Sequence, residues 1–261
     1  MFTTLSIERQ DAIATIWMDR PEVFNAFDET LIAELDQAFA QVEQDDAVRV
    51  VVLAGKGKHF SAGADLNWMK RASVFTEEQN QQDALRFAAM LRRIATLSKP
   101  TIARVQGAAL GGGTGLTAAC DMAVASSDAQ FATSEVKFGI IPAVISPYVL
   151  RAIGPRQALR YFQSAERFNA DKALQLGLVN EVCTLEQLDA TVAAVAAPLL
   201  TGGPQAQFAA KNLIATVNGL PISESTDHVT AQRIARQRAT AEAKEGIGAF
   251  LEKRQPNWLN S

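Results

Sequence analysis

The sequence predicts an α/β fold with an all-helical last third, on three observations. Short β-branched runs alternate with amphipathic stretches through the first two thirds. Two of those runs pass through glycine-containing loops straight into helix starts. From Pro155 onward helical patterns dominate.

Each element has its own reason. Residues 4–8 and 12–18 run apolar or alternate on either side of Arg9-Gln10-Asp11, which predicts an antiparallel hairpin. Leu31, Ile32, Leu35, Phe39 and Val42 fall at helical spacing within residues 28–43. Residues 49–54 read as a buried strand and 55–63 as a loop, after which Asp65 suits a helix N-cap. Thr76 caps a long helix to about residue 97, with Glu77 and Glu78 in its first turn. Lys99-Pro100 ends that helix and hands over to a strand at 101–105, and 121–125 is a further short strand. Helices are expected at 156–164, 170–176, 185–197, 204–217, 223–242 and 245–253, the last stopping at Pro256. The expected division is a core over residues 1–199 and a helical C-terminal region over 200–261.

The chain has 261 residues, 48% of them hydrophobic, with a formal net charge of −3. That length supports one large domain with a substantial core. A pI near 5.5 and scattered basic residues give no nucleic-acid surface. Cys120 and Cys183 make no disulfide framework, and no Cys/His cluster has zinc spacing. The N-terminus has no basic-then-apolar leader and no run reaches membrane-span length. The expectation is a cytoplasmic protein with no metal, nucleic-acid or membrane partner.

The glycine cluster is the most informative stretch. Gly111-Gly112-Gly113 and then Gly115 follow the apolar run 101–105 and precede Leu116-Thr117-Ala118-Ala119, which can propagate a helix. Consecutive glycines destabilise regular structure and make sense where a ligand must reach bare backbone N–H groups. A glycine loop opening a helix aims donors and the positive dipole end at one point. The second such junction is Phe60-Ser61-Ala62-Gly63-Ala64-Asp65-Leu66. Two N–H groups, from Ala64 and Gly112, converging on one carbonyl oxygen would form an oxyanion hole. Losing one such donor costs about 3–4 kcal/mol of transition-state stabilisation. The competing reading is tight loop packing, since neither loop has a dinucleotide or Walker fingerprint.

Six motifs then stand in order. They are Arg20-Pro21-Glu22-Val23-Phe24-Asn25-Ala26, the residue 60–66 loop, Gly107-Ala108-Ala109-Leu110-Gly111-Gly112-Gly113, Cys120-Asp121, Ser134-Glu135-Val136-Lys137-Phe138-Gly139-Ile140-Ile141-Pro142, and Ala249-Phe250-Leu251-Glu252-Lys253-Arg254. Together they resemble the crotonase (enoyl-CoA hydratase/isomerase) superfamily over essentially the whole chain. The resemblance implies a spiral of ββα units and a helical C-terminal region that builds homotrimers, often paired as homohexamers. It implies an acyl-CoA substrate, with coenzyme A part of the substrate and no further cofactor. The thioester carbonyl would be held by Ala64 and Gly112, and Glu135 would be the acid/base. Val23, Ala62, Asp65, Leu66 and Gly111 are expected to contact substrate or CoA. Phe250 and Lys253 would help hold the CoA nucleotide, against ordinary helix packing and a solvated lysine as the competing reading.

One position departs from the pattern. Typical hydratases carry a second glutamate just after the glycines, where this chain has Gly115. Glu135 alone would suffice for hydration, if another group orients the water, or for double-bond migration. Its neighbours Phe131, Val136, Phe138 and Ile140 are expected to bury it in part and raise its pKa. The bulky segment from Ala143 to Gly154, together with Gly115, resembles 3-methylglutaconyl-CoA hydratases and related branched glutaconyl-CoA hydratases. Lys70, Arg71 and Lys137 would then be counter-charges for a distal carboxylate, Ser146 and Tyr148 water or substrate contacts, and Trp68 and Phe75 pocket walls. His59 and His228 are expected to be solvated rather than catalytic. The alternatives are an enoyl-CoA isomerase and a non-catalytic CoA- or RNA-binding protein.

Overall fold

The apolar runs of the first half pair into one sheet, whose central strands are too hydrophobic to leave either face in water. The computed structural model describes residues 2–259. Strands β1 (Leu5–Gln10) and β2 (Ile13–Met18) form the expected hairpin, followed by α1 (Glu29–Gln44) and β3 (Val50–Gly55). Helices α2 (Leu66–Ala72) and α3 (Glu77–Thr96) precede β4 (Thr101–Val105), a short β5 (Ala108–Leu110), α4 (Gly112–Ala119) and β6 (Met122–Ser126). Then come β7 (Gln130–Ala132), α5 (Ser146–Ser164), β8 (Phe168–Asn169), α6 (Ala170–Leu176), β9 (Glu181–Cys183) and α7 (Leu188–Thr201). The last helices are α8 (Pro204–Val217), α9 (Glu224–Arg238) and α10 (Ala241–Leu251).

The main sheet runs β1-β2-β3-β4-β6-β9, parallel throughout after the first hairpin. Alternation along β3 feeds two cores. Val51 and Leu53 join Leu35 and Phe39 of α1 and Leu91 and Ile94 of α3 in the larger one. Val50 and Val52 join Ile102, Val124 and the α7 residues Leu188, Val192 and Ala196 in the other. A small second sheet, β5-β7-β8, lies beyond the expectations from sequence. Its strands have two or three residues, too few to show a period.

The helix starts follow their caps. Asp28 accepts from Leu31 N at 2.8 Å, and Thr76 forms a full capping box with Gln79. Two boundaries differ from expectation. Helix α5 is two helical segments that meet at a kink at Gly154 (φ 73°, ψ 163°): the expected 156–164 helix follows the kink, and a segment from Ser146 that was not expected precedes it. The helix expected over 223–242 ends at Arg238, because Thr240 accepts from Ala243 N at 3.1 Å and opens α10 instead. Helices α8 and α9 contain no buried residue, and Ile214, Ile234 and Phe250 are exposed. No helix among the described residues is long and apolar enough to cross a membrane.

Arg20 joins three parts of the frame. Its guanidinium donates to Ala26 O at 2.6 Å and pairs with Asp28 at 3.0 Å and Asp65 at 3.3 Å. Those two aspartates cap α1 and α2. The Arg20 side chain is only 15% exposed, so the pairs are shielded from solvent screening. Arg20→Ala is expected to cost about 2–3 kcal/mol in urea denaturation. Arg20→Lys should recover less than half, because one ammonium nitrogen cannot stand at both Nη2, which holds the two carboxylates, and Nη1, which holds Ala26 O. A loss within about 0.5 kcal/mol would contradict this role.

Candidate active site

A single parallel bridge sets the geometry. Ser61 pairs with Ala109, Ser61 N donating to Ala108 O and Leu110 N to Ser61 O, both at 2.9 Å. The two loops therefore run side by side in the same direction, and Ala64 and Gly112 each stand three residues beyond the bridge. Ala64 is also bridged to Phe27, through Phe27 N to Gly63 O (2.7 Å) and Asp65 N to Phe27 O (2.8 Å). Those bonds use the groups flanking Ala64, whose own N–H has no protein acceptor among the described residues. Gly112 is the first residue of α4, so its N–H has no partner within the helix. The preceding Gly111 takes φ 50°, ψ −115°, a conformation open to glycine, and its N–H is occupied by Ala132 O at 2.8 Å.

Both free donors border a cleft of about 520 Å³. Glu135 lines the same cleft from the first position of a 3₁₀ turn, Glu135–Phe138, closed by Gly139 at φ 73°. Its carboxylate lies against Gly111, where a Cβ would stand 3.1 Å from Oε1. Oε2 is buried without a hydrogen-bond partner. Burial pushes the carboxyl above the ordinary glutamate range, only partly offset by a backbone hydrogen bond. Of the expected flank, Phe131 is fully buried, whereas Phe138 and Ile140 are exposed at the cleft mouth.

The place of the missing glutamate is filled. A Cβ on Gly115 would overlap Ile145 Cγ2 and lie 2.8 Å from Ile145 Cβ. Ile145, 2% exposed, forms part of the cleft wall. An apolar side chain from the start of α5 thus occupies the volume that a side chain at 115 would need.

The other expected residues separate. Ala62 and Leu66 line the cleft, Leu66 at its exposed mouth. Asp65 lies behind it, committed to capping α2 (Asn67 N 2.8 Å, Trp68 N 3.2 Å) and to Arg20. Val23 stands one residue before Phe24, outside the cleft. Phe24, Ala62, His59 and Arg167 border an adjoining groove of about 340 Å³. Phe250 and Lys253 lie exposed at the end of α10 and do not meet the cleft within this chain.

Four expectations are corrected. Arg71 is tied to Glu29 by hydrogen bonds of 2.6 to 3.2 Å, so it is no free counter-charge. Ser146 donates to Ala143 O at 2.7 Å, and Tyr148 lines a different cleft beside α8. Phe75 is absent from the cleft wall, where Trp68 stands as expected and Phe87 is the further aromatic from a helix. His59 is half-buried, its Nδ1 accepting from Ala108 N at 3.0 Å, and desolvation beside Lys58 lowers its pKa. His228 is exposed as expected. Lys137 borders the cleft, and its ammonium has no protein partner among the described residues. Phe87 was not foreseen, although its i+3 and i+4 relation to Met90 and Leu91 on α3 was available as a signal.

Two backbone donors facing one cleft with a single buried carboxylate define a site that polarises a carbonyl and moves a proton next to it. The model of the enoyl-CoA hydratase/isomerase family matches residues 8–261. The crotonyl-CoA hydratase of Syntrophomonas wolfei is 33% identical, covering 99% of both chains. The short-chain-enoyl-CoA hydratase of Clostridium acetobutylicum is 32% identical, covering 95% of both. A crystal structure of an enoyl-CoA hydratase from Shewanella pealeana superposes with a TM-score of 0.96 at 42% identity, over 98% of this chain and 96% of that one. The chain belongs to the enoyl-CoA hydratase/isomerase family and has the crotonase fold.

Two outcomes test this geometry. Gly115→Ala should overpack against Ile145 and cost about 1–3 kcal/mol in chemical denaturation, and Ile145→Ala in the same chain should return part of it. If Gly115→Ala is neutral, the two residues are not in contact. The second concerns Glu135. Its pKa is raised on folding, so the folded state binds more protons than the unfolded one between the ordinary and raised values. Stability conferred at low pH is therefore lost as pH rises through that window. Glu135→Gln should remove this dependence and match or exceed the wild-type Tm at neutral pH. A lower Tm for the variant at neutral pH would contradict an unpaired buried carboxylate.

Proposed function

We propose that this chain hydrates 2-enoyl-CoA thioesters, with Ala64 N–H and Gly112 N–H on the thioester oxygen and Glu135 as the only acid/base. The observation behind this reading is the common register of the two donors across the Ser61–Ala109 bridge, with an unpartnered buried carboxylate in the same cleft. Ionised Glu135 takes a proton from water as the water oxygen bonds to Cβ. The double-bond electrons move to Cα and the thioester, and the enolate oxygen is met by the two N–H groups. Glu135, now protonated, delivers that proton to Cα on the same face, giving a 3-hydroxyacyl-CoA. Its raised pKa suits both halves of the cycle.

Within this reading the acyl group is a branched glutaconyl unit such as 3-methylglutaconyl, with the unpaired Lys137 at the cleft as the counter-charge. The chain works as a homotrimer or paired trimers, in which the exposed Phe250 and Lys253 reach a neighbour's CoA. A second reading has a specific observation behind it. Ile145 over Gly115 leaves one carboxylate, and moving a proton between Cα and Cγ of a 3-enoyl-CoA needs only one.

The test follows the conjugated enoyl-thioester absorbance with 2-enoyl-CoA and 3-enoyl-CoA panels. Loss of absorbance with 3-hydroxyacyl-CoA as product is expected. Conjugation gained from 3-enoyl-CoA with no hydration of any 2-enoyl ester would move the assignment to isomerase. Glu135→Gln should lower kcat by about 10²–10⁴-fold with little change in ester binding. On the acid side, kcat/KM should fall with an apparent pKa above that of an ordinary glutamate.

A further inference from the structure

The rungs of a parallel pair are evenly spaced along each chain. Ser61 N–H donates to Ala108 O, and Ser61 O accepts from Leu110 N–H, both at 2.9 Å. One step back along the same ladder, Ala108 N–H would meet His59 O. That carbonyl is taken by Asn25 Nδ2 at 2.8 Å. Ala108 N–H donates to the His59 ring in its place, at Nδ1 and 3.0 Å. A titratable side chain thus stands in for a backbone acceptor, next to the bridge that sets Ala64 and Gly112 in register. The opposite chain is shaped to receive it, since a Cβ on Gly107 would lie 2.6 Å from Nδ1. Phe24 packs edge-on against the imidazole, with ring centroids 5.0 Å apart.

We propose that His59 is a positioning residue for the reaction: its neutral imidazole holds β5 in register with the Ser61 loop, and its protonation loosens the oxyanion hole. This rests on the oxyanion reading of the cleft. Strand β5 has three residues and meets the Ser61 loop through a single bridge, so the His59 rung is a large share of that contact. The other edge of β5 pairs with β7, which fixes it in the small sheet but not against the Ala64 loop. A neutral ring that accepts at Nδ1 carries its proton on Nε2, whereas an imidazolium carries one on each nitrogen. Protonation would therefore set Nδ1–H against Ala108 N–H across 3.0 Å, donor to donor. The surroundings keep the ring neutral. Desolvation, and then Lys58 on its own segment, push its pKa below the ordinary histidine range, with Asp128 from the turn before β7 opposing them. Arg167, just before β8, is the other cation bordering the same groove. The rung breaks as pH falls below the ordinary histidine range.

The test reads the oxyanion hole through the carbonyl it holds. Butanoyl-CoA labelled with carbon-13 at the thioester carbonyl can be neither hydrated nor isomerised. Its C=O stretch is followed by difference infrared spectroscopy, free and bound. Two backbone donors are expected to move the bound stretch to lower frequency. In wild type this displacement should shrink as pH falls, in step with the His59 Cε1–H resonance. His59→Asn keeps an acceptor at the Nδ1 place that does not titrate. It should retain most of the displacement and hold it across the same pH range. His59→Phe should lose about half of it at every pH, as one of the two donors drifts from the carbonyl. Any effect of Glu135 is common to all three chains, so the difference between wild type and His59→Asn isolates His59. A wild-type displacement indifferent to the His59 titration, a full displacement in His59→Phe, or one in His59→Asn as low as in His59→Phe would overturn the proposal and leave the thioester reading intact. No displacement in wild type at any pH would overturn both. Where His59→Phe does not fold, the wild-type and His59→Asn titrations decide.

Discussion

The site depends on one backbone pairing. Ser61 and Ala109 lie in segments far apart in sequence, yet two hydrogen bonds of 2.9 Å lock them in parallel. Everything downstream inherits that register. Three residues beyond it on each segment, Ala64 and Gly112 border one cleft. Backbone donors held this way require no reorganisation when charge develops, which is what makes them effective. Thr114 reinforces the arrangement by donating its hydroxyl to Ala109 O at 2.7 Å from inside α4.

Around that pairing the fold supplies support rather than chemistry. The buried parallel strands β3 and β4 end at the two loops, so the loops leave a rigid platform. Arg20 and Asn25 hold the outer side. Asn25 Nδ2 donates to Lys56 O and His59 O, binding the segment before the first loop to the Arg20 turn. These are the residues of the Arg20–Ala26 motif, and their role is structural. Arg20 and Asn25, which help to signal the family in the sequence, thus brace the loops, while other motif residues such as Ala64, Gly112 and Glu135 line the cleft.

Much of this was legible in the sequence, and the remainder has identifiable causes. The hairpin, the buried strands and the capped α1 and α3 follow from local pattern, and the two donor positions follow from glycine chemistry plus resemblance. The small sheet was hidden because its strands are shorter than any period. The segment of α5 before Gly154 was hidden because the break there leaves it short, with Ser146-Pro147 at its start and no side-chain cap. Pairings across long separations were equally hidden, such as Arg71 with Glu29 and Ile145 with Gly115. Glu135 was identifiable as a residue, but its burial against Gly111 is a tertiary fact.

The contact between residues 115 and 145 also bears on how such a site can change over generations. A lone substitution that brings a carboxylate to position 115 meets a filled volume and lowers stability by overpacking. Reducing Ile145 first leaves a void with no catalytic gain. Either order passes through a less stable protein. A side chain at 115 is therefore accommodated only if positions 115 and 145 change together, which makes the two residues one unit of design rather than two.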